Sequence, residues 1–321
     1  MRISFFFLAL VIGFQLAGQQ LQIPPAQTTA ALQLEYASSE QAKILLTTED
    51  AYTDAWSQFD IDSKGNKKGN TKEAYFQHIT EQVLEWTDEE KEMLNHSLAK
   101  INTSISEQNF KLRMDKPVII IKTTSKEEGG AMGYTRGNYI VLSQAFSSME
   151  PAGIDHILAH ELFHVISRAM PELRKELYSL IGFYMMPAID YPKVMEDFRI
   201  TNPDATQTDN YIDLKVGEET VPCMMILYSK RPYDGGSFFN YLNVGFLRLS
   251  EADKKPVLDD EGPVIYAMSE IGNFFEQVGR NTQYIIHPEE IMADNFTFAI
   301  LGKEDLSNPE LVAEIKEVLS K

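Results

Sequence analysis

His160-Glu161-Leu162-Phe163-His164 sets two imidazoles four residues apart, with a carboxylate beside the first. On a helix, residues four apart lie one above the other on one face. Two nitrogens presented in this way suit a single tetrahedral Zn2+ ion. Glu161 then stands where it can take a proton from a water that the metal activates. The flanking residues predict the helix. Pro151 suits a first helical turn, no further proline interrupts the run to Arg168, and Ile154, Ile157, Leu158, Leu162, Val165 and Ile166 recur at spacings of three and four. Two imidazoles in so apolar a helix are costly unless a partner satisfies their nitrogens. His156 lies four residues further upstream, but helix positions eight apart are about 12 Å distant. It is expected at the surface or supporting a ligand, not on the same ion.

A catalytic zinc needs a third protein ligand and an open position for water. The metzincin arrangement would put Gly three residues after the second histidine and His three further on; here those positions hold Ser167 and Met170. The segment from His287 to Phe296 offers carboxylates instead. Pro288 fits the first position of a helix, and Glu289 and Glu290 suit its positive end. Glu290 and Asp294 again share a face, so one can bind metal while the other accepts the N–H of a metal-bound histidine.

The two segments together resemble the gluzincins, zinc peptidases with HExxH on one helix and Glu-x-x-x-Asp on a second. The resemblance implies His160, His164 and Glu290 as ligands of Zn2+, Glu161 as general base, and Asp294 as the carboxylate that supports a ligand. Glu290-Ile291-Met292-Ala293-Asp294 is also similar to a Glu-x-x-Ala-Asp string of the membrane-bound CAAX-prenyl type of zinc peptidase, whose internal membrane helices this chain lacks. The 125 residues between His164 and Glu290 form an insertion expected to shape the substrate cleft. Glu289, Glu172 and Glu176 are the rival third ligands. Such enzymes usually add a Tyr, His or Arg that stabilises the oxyanion, and Tyr211, Arg280, Tyr284 and His287 are all available.

Arg2, the apolar run Phe5–Phe14 and the small residues Ala17 and Gly18 have the layout of a secretory signal over residues 1–18, too short to span a bilayer. The protein is therefore expected to be secreted or periplasmic, without stable membrane insertion once the signal is removed. A net charge of −18 and the lack of a basic stripe argue against nucleic acid. The single cysteine, Cys223, excludes an intramolecular disulfide and reads as a buried structural thiol.

Residues 19 to about 30 read as a flexible lead-in, and 19–112 as a helical amino-terminal region containing a capping box at Thr87–Glu90. Ser63–Asn70 reads as a solvated loop whose lysines solubilise. Pro117–Ile121 and Gly137–Ser143 predict strands separated by a Gly129-Gly130 turn. Asn202-Pro203-Asp204-Ala205 reads as a turn. Gly235-Gly236 with Phe238, Phe239 and Tyr241 forms either a loop over the cleft or a packed corner. The expectation is an α+β, zincin-like fold: a small mixed sheet packed on the HExxH helix, a helical amino-terminal region, and a mostly helical carboxyl-terminal half, with residues 113–321 as the metallopeptidase domain. The expected substrate is a peptide or protein. The alternatives are hydrolysis of a non-peptide amide or ester, or an exported binding protein that keeps the fold without catalysis.

Overall fold

The computed structural model describes residues 31–321. The signal expected at residues 1–18 and the lead-in expected after it lie outside the described residues.

The amino-terminal region runs β1 (Leu34–Tyr36), α1 (Ser39–Thr47), α2 (Ala51–Asp54), α3 (Gln58–Lys64), α4 (Lys72–Gln82), β2 (Val83–Leu84) and α5 (Asp88–Glu107). Thr87 caps α5: its hydroxyl accepts from the Glu90 amide while the Glu90 side chain accepts from the Thr87 amide. Next come β3 (Val118–Thr123), β4 (Gly133–Arg136), β5 (Tyr139–Ser143), α6 (Pro151–Ala169) and α7 (Pro171–Leu180). The first sheet is mixed, in the order β1-β3-β5-β4 with β2 also on β3; β3 runs parallel to β1 and β5, and β4 runs antiparallel to β5. Its central strands are apolar runs, as burial on both faces requires. β4 is an edge strand, and α6 packs beside it.

The insertion forms β6 (Phe183–Met185), β7 (Asn210–Val216), β8 (Glu219–Tyr228), β9 (Asn243–Arg248), β10 (Leu258–Asp259), β11 (Gly262–Pro263), β12 (Ile265–Tyr266) and the short helix α8 (Phe274–Val278). Strands β12-β9-β8-β7-β6 make a second, antiparallel sheet. The α+β class therefore stands, but the carboxyl-terminal half is not mostly helical before residue 288. The β7–β8 hairpin closes through Gly217, whose φ of 60° is the left-handed region that a two-residue turn needs and glycine supplies.

The chain ends in α9 (Pro288–Leu301) and α10 (Pro309–Leu319), both with Pro in the first turn. One apolar cluster joins Leu94, Leu98 and Ile101 of α5 to Leu158 and Leu162 of α6, Ile291 and Phe296 of α9, and Leu311 and Ile315 of α10. α9 is buried on every side from Pro288 to Ile300, carboxylates included.

Asn66–Gly69 form the solvated turn expected, with Lys67 and Lys68 exposed, but Ser63, Lys64 and Asn70 are buried. Lys64 ends α3 only 2% exposed. Its Nζ lies 2.9 Å from Glu128 Oε2 and 3.8 Å from Asp60 Oδ1, and it donates to the Tyr52 hydroxyl and to the Thr201 carbonyl. A buried ammonium persists only with partners of this kind, and those from Glu128 and Thr201 arrive from distant parts of the chain. Cys223 is fully buried on β8.

Candidate metal centre

α6 delivers His160, Glu161 and His164 to the interior because its apolar stripe continues around them; the three are 7%, 2% and 0% exposed. α9 crosses α6 and brings its first turns against these side chains. Glu290 Oε2 lies 3.1 Å from His160 Nε2 and 3.4 Å from His164 Nε2. Metal–ligand bonds of about 2.1 Å in a tetrahedron put neighbouring donors about 3.4 Å apart. Glu290 thus already stands at that spacing from both imidazoles, and the ligand atoms of all three residues lie within 4.8 Å of one another.

The other ring nitrogens fix the tautomers. His160 Nδ1 lies 2.9 Å from Asp294 Oδ1, and His164 Nδ1 lies 3.3 Å from Glu289 Oε1. With both Nδ1 atoms turned to carboxylates, the two Nε2 atoms are the ones that face Glu290, and a cation there would take the place of their protons. The supporting carboxylates are themselves held. Thr282 donates to Asp294; Ser167 and Tyr178 donate to Glu289, with Arg174 Nε 3.7 Å away; Asn202 Nδ2 donates to Glu290 Oε1 at 2.6 Å. His164 Nε2 and Glu161 Oε2 are buried without a hydrogen-bond partner. Such orphans are expensive unless a ligand completes them.

The charges agree with that. Burial opposes ionisation of Glu290, yet His164 and His160 hold its carboxyl well below the usual range. Burial would also lower His160, but Asp294 and Glu290 outweigh it and raise it to about 10. Without metal, the carboxylates keep protons on the imidazoles, and a divalent cation would replace that positive charge. Glu161 differs: burial, and Asp204 opposite it, push it up to about 8. Glu289, Glu290 and Asp294 are thus held low, whereas burial raises both Glu161 and Asp204.

Three overlapping groups have ligand atoms within 4.8 Å of one another: His160, His164 and Glu290; His156, His160 and Asp294; and Glu161, His164 and Asp204. These buried groups can bind a metal ion. His156 Nε2 is 3.4 Å from Asp294 Oδ1 with its side chain 41% exposed, so it leans on a supporting carboxylate. Glu289 sits behind His164, on the Nδ1 side. Glu172 and Glu176 extend from α7, with side chains 89% and 55% exposed.

A cleft of about 550 Å³ opens in front of the centre, lined by Gly130–Tyr134, Phe238, Phe239, Tyr284 and the side chains already named. Of the four oxyanion candidates, Tyr284 lies here, its ring 6.1 Å from that of His160. The residue is 47% exposed overall, but desolvation at its hydroxyl and the surrounding carboxylates raise its pKa. Tyr211 packs on Tyr184 and Arg280 on Phe275. His287 caps α9 by accepting the Glu289 amide at Nδ1, and burial lowers it to about 4. Gly235–Tyr241 is a packed corner around Tyr233 and Tyr241, from which Phe238 and Phe239 reach the cleft. Sequence reasoning missed Asn202, Asp204, Ser167, Arg174 and Tyr178. Only the turn at 202–205 carried a local signal.

Residues 122–172, from β3 into the start of α7, match a family described as the eCIS core domain. That stretch holds both histidines and Glu161 but not Glu290. No curated protein and no solved structure matches the chain.

Proposed function

We propose that the protein is an exported, zinc-dependent metallopeptidase of gluzincin type. The observation that carries the reading is the convergence of His160 Nε2, His164 Nε2 and Glu290 Oε2 beside the unpartnered Oε2 of Glu161. Bound there, zinc would supply Lewis-acid polarisation of a carbonyl and would acidify a water. Glu161 would hold and relay a proton between that water and the departing amine. Asp294 and Glu289 keep the two imidazoles in the ligating tautomer. Tyr284 donates its hydroxyl to the developing oxyanion.

The preference for peptides over other amides rests on β4. Its free edge faces the cleft next to the base, and an extended chain can add to such an edge by main-chain hydrogen bonds. A structural zinc site would need a fourth protein ligand. His156 and His287 do not supply it: the first leans on Asp294 and the second caps α9. Export itself rests on residues 1–18 of the sequence; among the described residues, no helix is long and apolar enough to cross a membrane.

Elemental analysis of the purified protein should find about one zinc per chain, given three ligands of this kind. The zinc-loaded protein should cut members of a peptide library and leave small non-peptide amides and esters intact. Folded protein that takes up no zinc, or that cleaves only the small amides, overturns the reading.

A further inference from the structure

The free edge of β4 is already occupied at one end. The Thr135 amide and hydroxyl both donate to Asp204 Oδ1, at 2.6 and 2.8 Å. Arg168 Nη2 donates to the carbonyls of Thr135, Pro203 and Asp204, at 3.4, 3.2 and 2.9 Å. The Thr135 amide therefore points away from β5, and so does that of Gly133, two residues back on the same strand. Gly133 lines the cleft. A chain laid along this edge pairs at Gly133 and then meets Asp204 before it can pair at Thr135.

The blocking segment is anchored. The Thr201 amide and hydroxyl donate to the two oxygens of Asp60 at 3.0 and 2.8 Å, Lys64 Nζ donates to the Thr201 carbonyl at 3.0 Å, and Asn202 holds Glu290. The block is a wall of the site.

The chemistry of that wall selects what can stop there. Asp204 has a carboxylate oxygen within 4.8 Å of ligand atoms of Glu161 and His164, and Glu161 adds an unpartnered oxygen although it is 98% buried. Lys64, the lysine that lines the cleft, is tied to Glu128 and Asp60. Arg168 grips the blocking segment through its carbonyls and does not line the cleft. A wall of acidic side chains, raised by burial when nothing positive faces them, gives a carboxyl terminus no cation to pair with and suits an ammonium group, whose charge would favour their ionised forms. Two strand residues, about 6.8 Å, separate Gly133 beside the base from Thr135 at the wall. That is room for one substrate residue.

We propose that Asp204 closes the amino-terminal side of the cleft and binds the α-ammonium group of the substrate, making this centre an aminopeptidase for peptides with a free amino terminus. This rests on the peptidase reading above. In the step implied, the amide C–N bond after the first residue breaks and the oxygen of water joins the carbonyl carbon. A proton of that water passes through Glu161 to the new amine.

The experiment uses the full-length zinc-loaded protein and two heptapeptides of one sequence, one with a free amino terminus and one N-acetylated. Mass spectrometry follows the products, and calorimetry measures binding of both peptides to Glu161→Gln protein. The free peptide should lose single residues from its amino end, and the acetylated twin should be cut at least about 100-fold more slowly. Asp204→Asn should lower kcat/KM for the free peptide about 10- to 100-fold, mainly through KM, as loss of a charge-assisted contact does, with zinc content unchanged. Equal cleavage of both peptides, or cleavage within them, overturns the inference and leaves the peptidase reading standing. Loss of zinc from Asp204→Asn also overturns it, because Asp204 would then be a ligand. Should neither peptide be cut, the peptidase reading fails, and calorimetry decides on Asp204. Binding of the free peptide alone upholds the ammonium site, whereas equal binding or none removes it. The wild-type comparison decides even if Asp204→Asn does not fold.

Discussion

Gly133 on β4 and Glu161 on α6 are in contact: a Cβ at Gly133 would lie 2.5 Å from Glu161 Oε1. The edge strand can approach the carboxylate this closely only because that position carries no side chain. Gly133→Ala should therefore push the flexible Glu161 side chain aside and leave fold and zinc content intact. Peptide hydrolysis should fall about 10- to 100-fold, the scale of a 1 Å misplacement of a reacting group. Unchanged kcat would show that Glu161 does not act from this position.

Glu161 and Glu290 should separate cleanly. Glu161→Gln keeps the size and removes the base, so turnover should fall by about 10² or more, with zinc content and melting temperature near wild type. Glu290→Gln weakens a ligand, so zinc affinity, thermal stability and activity should decline together. If Glu161→Gln loses zinc while Glu290→Gln retains it and stays active, the two roles are reversed.

The two supporting carboxylates should behave alike although they sit behind different histidines. Asp294→Asn and Glu289→Gln should each reduce zinc affinity about 10- to 100-fold. Competition against a chromogenic chelator measures this directly. An effect at Asp294 alone would mean that the 3.3 Å contact between Glu289 and His164 does not orient the ring.

Glu127 offers a pH test away from the candidate metal centre. Burial pushes it up to about 7, although Thr123 and Tyr134 donate to Oε1; Oε2 has no partner. The folded protein therefore holds a proton there that the unfolded chain, with a pKa of about 4.3, releases earlier. Stability from this group is full below about pH 4, declines as pH rises towards 7, and stays lost above. Glu127→Gln should melt at nearly the wild-type temperature at pH 4 and several degrees above it at pH 8. A constant difference across that range would rule out this titration.

Lys64→Met removes the ammonium that pairs with Glu128 and Asp60 and leaves both buried carboxylates without it. Breaking a buried pair in this way costs about 3–5 kcal/mol, which chemical denaturation would detect. A surface lysine would give almost nothing.

The sequence announced those elements whose signals are local. The capping box at Thr87, the proline-led helices at Pro151, Pro288 and Pro309, and the apolar runs of β3 and β5 all carry their own pattern. β4 does not: Gly-Tyr-Thr-Arg between two glycine turns becomes a strand because β5 pairs with it. The second sheet also carries a local pattern: Gly217-Glu218 lies between strands that register Val216 opposite Glu219, and Val221–Leu227 is nearly unbroken in apolar side chains. In the centre, His160, Glu161, His164, Glu290 and Asp294 could be found because helical spacing of four is visible in one dimension. Asp204 and Lys64 could not, because their partners lie 69 and 64 residues away on Thr135 and Glu128, and only folding brings those together.

α9 is buried all round, yet it carries Glu289, Glu290 and Asp294. A helix of that kind has no reason to form until its surroundings exist. On the proposed reading, a chain still short of these residues during synthesis holds two imidazoles and a base with nothing opposite them. Their third partner would arrive only after the strands, the insertion and α6 have been made, so any hydrolytic competence would come last.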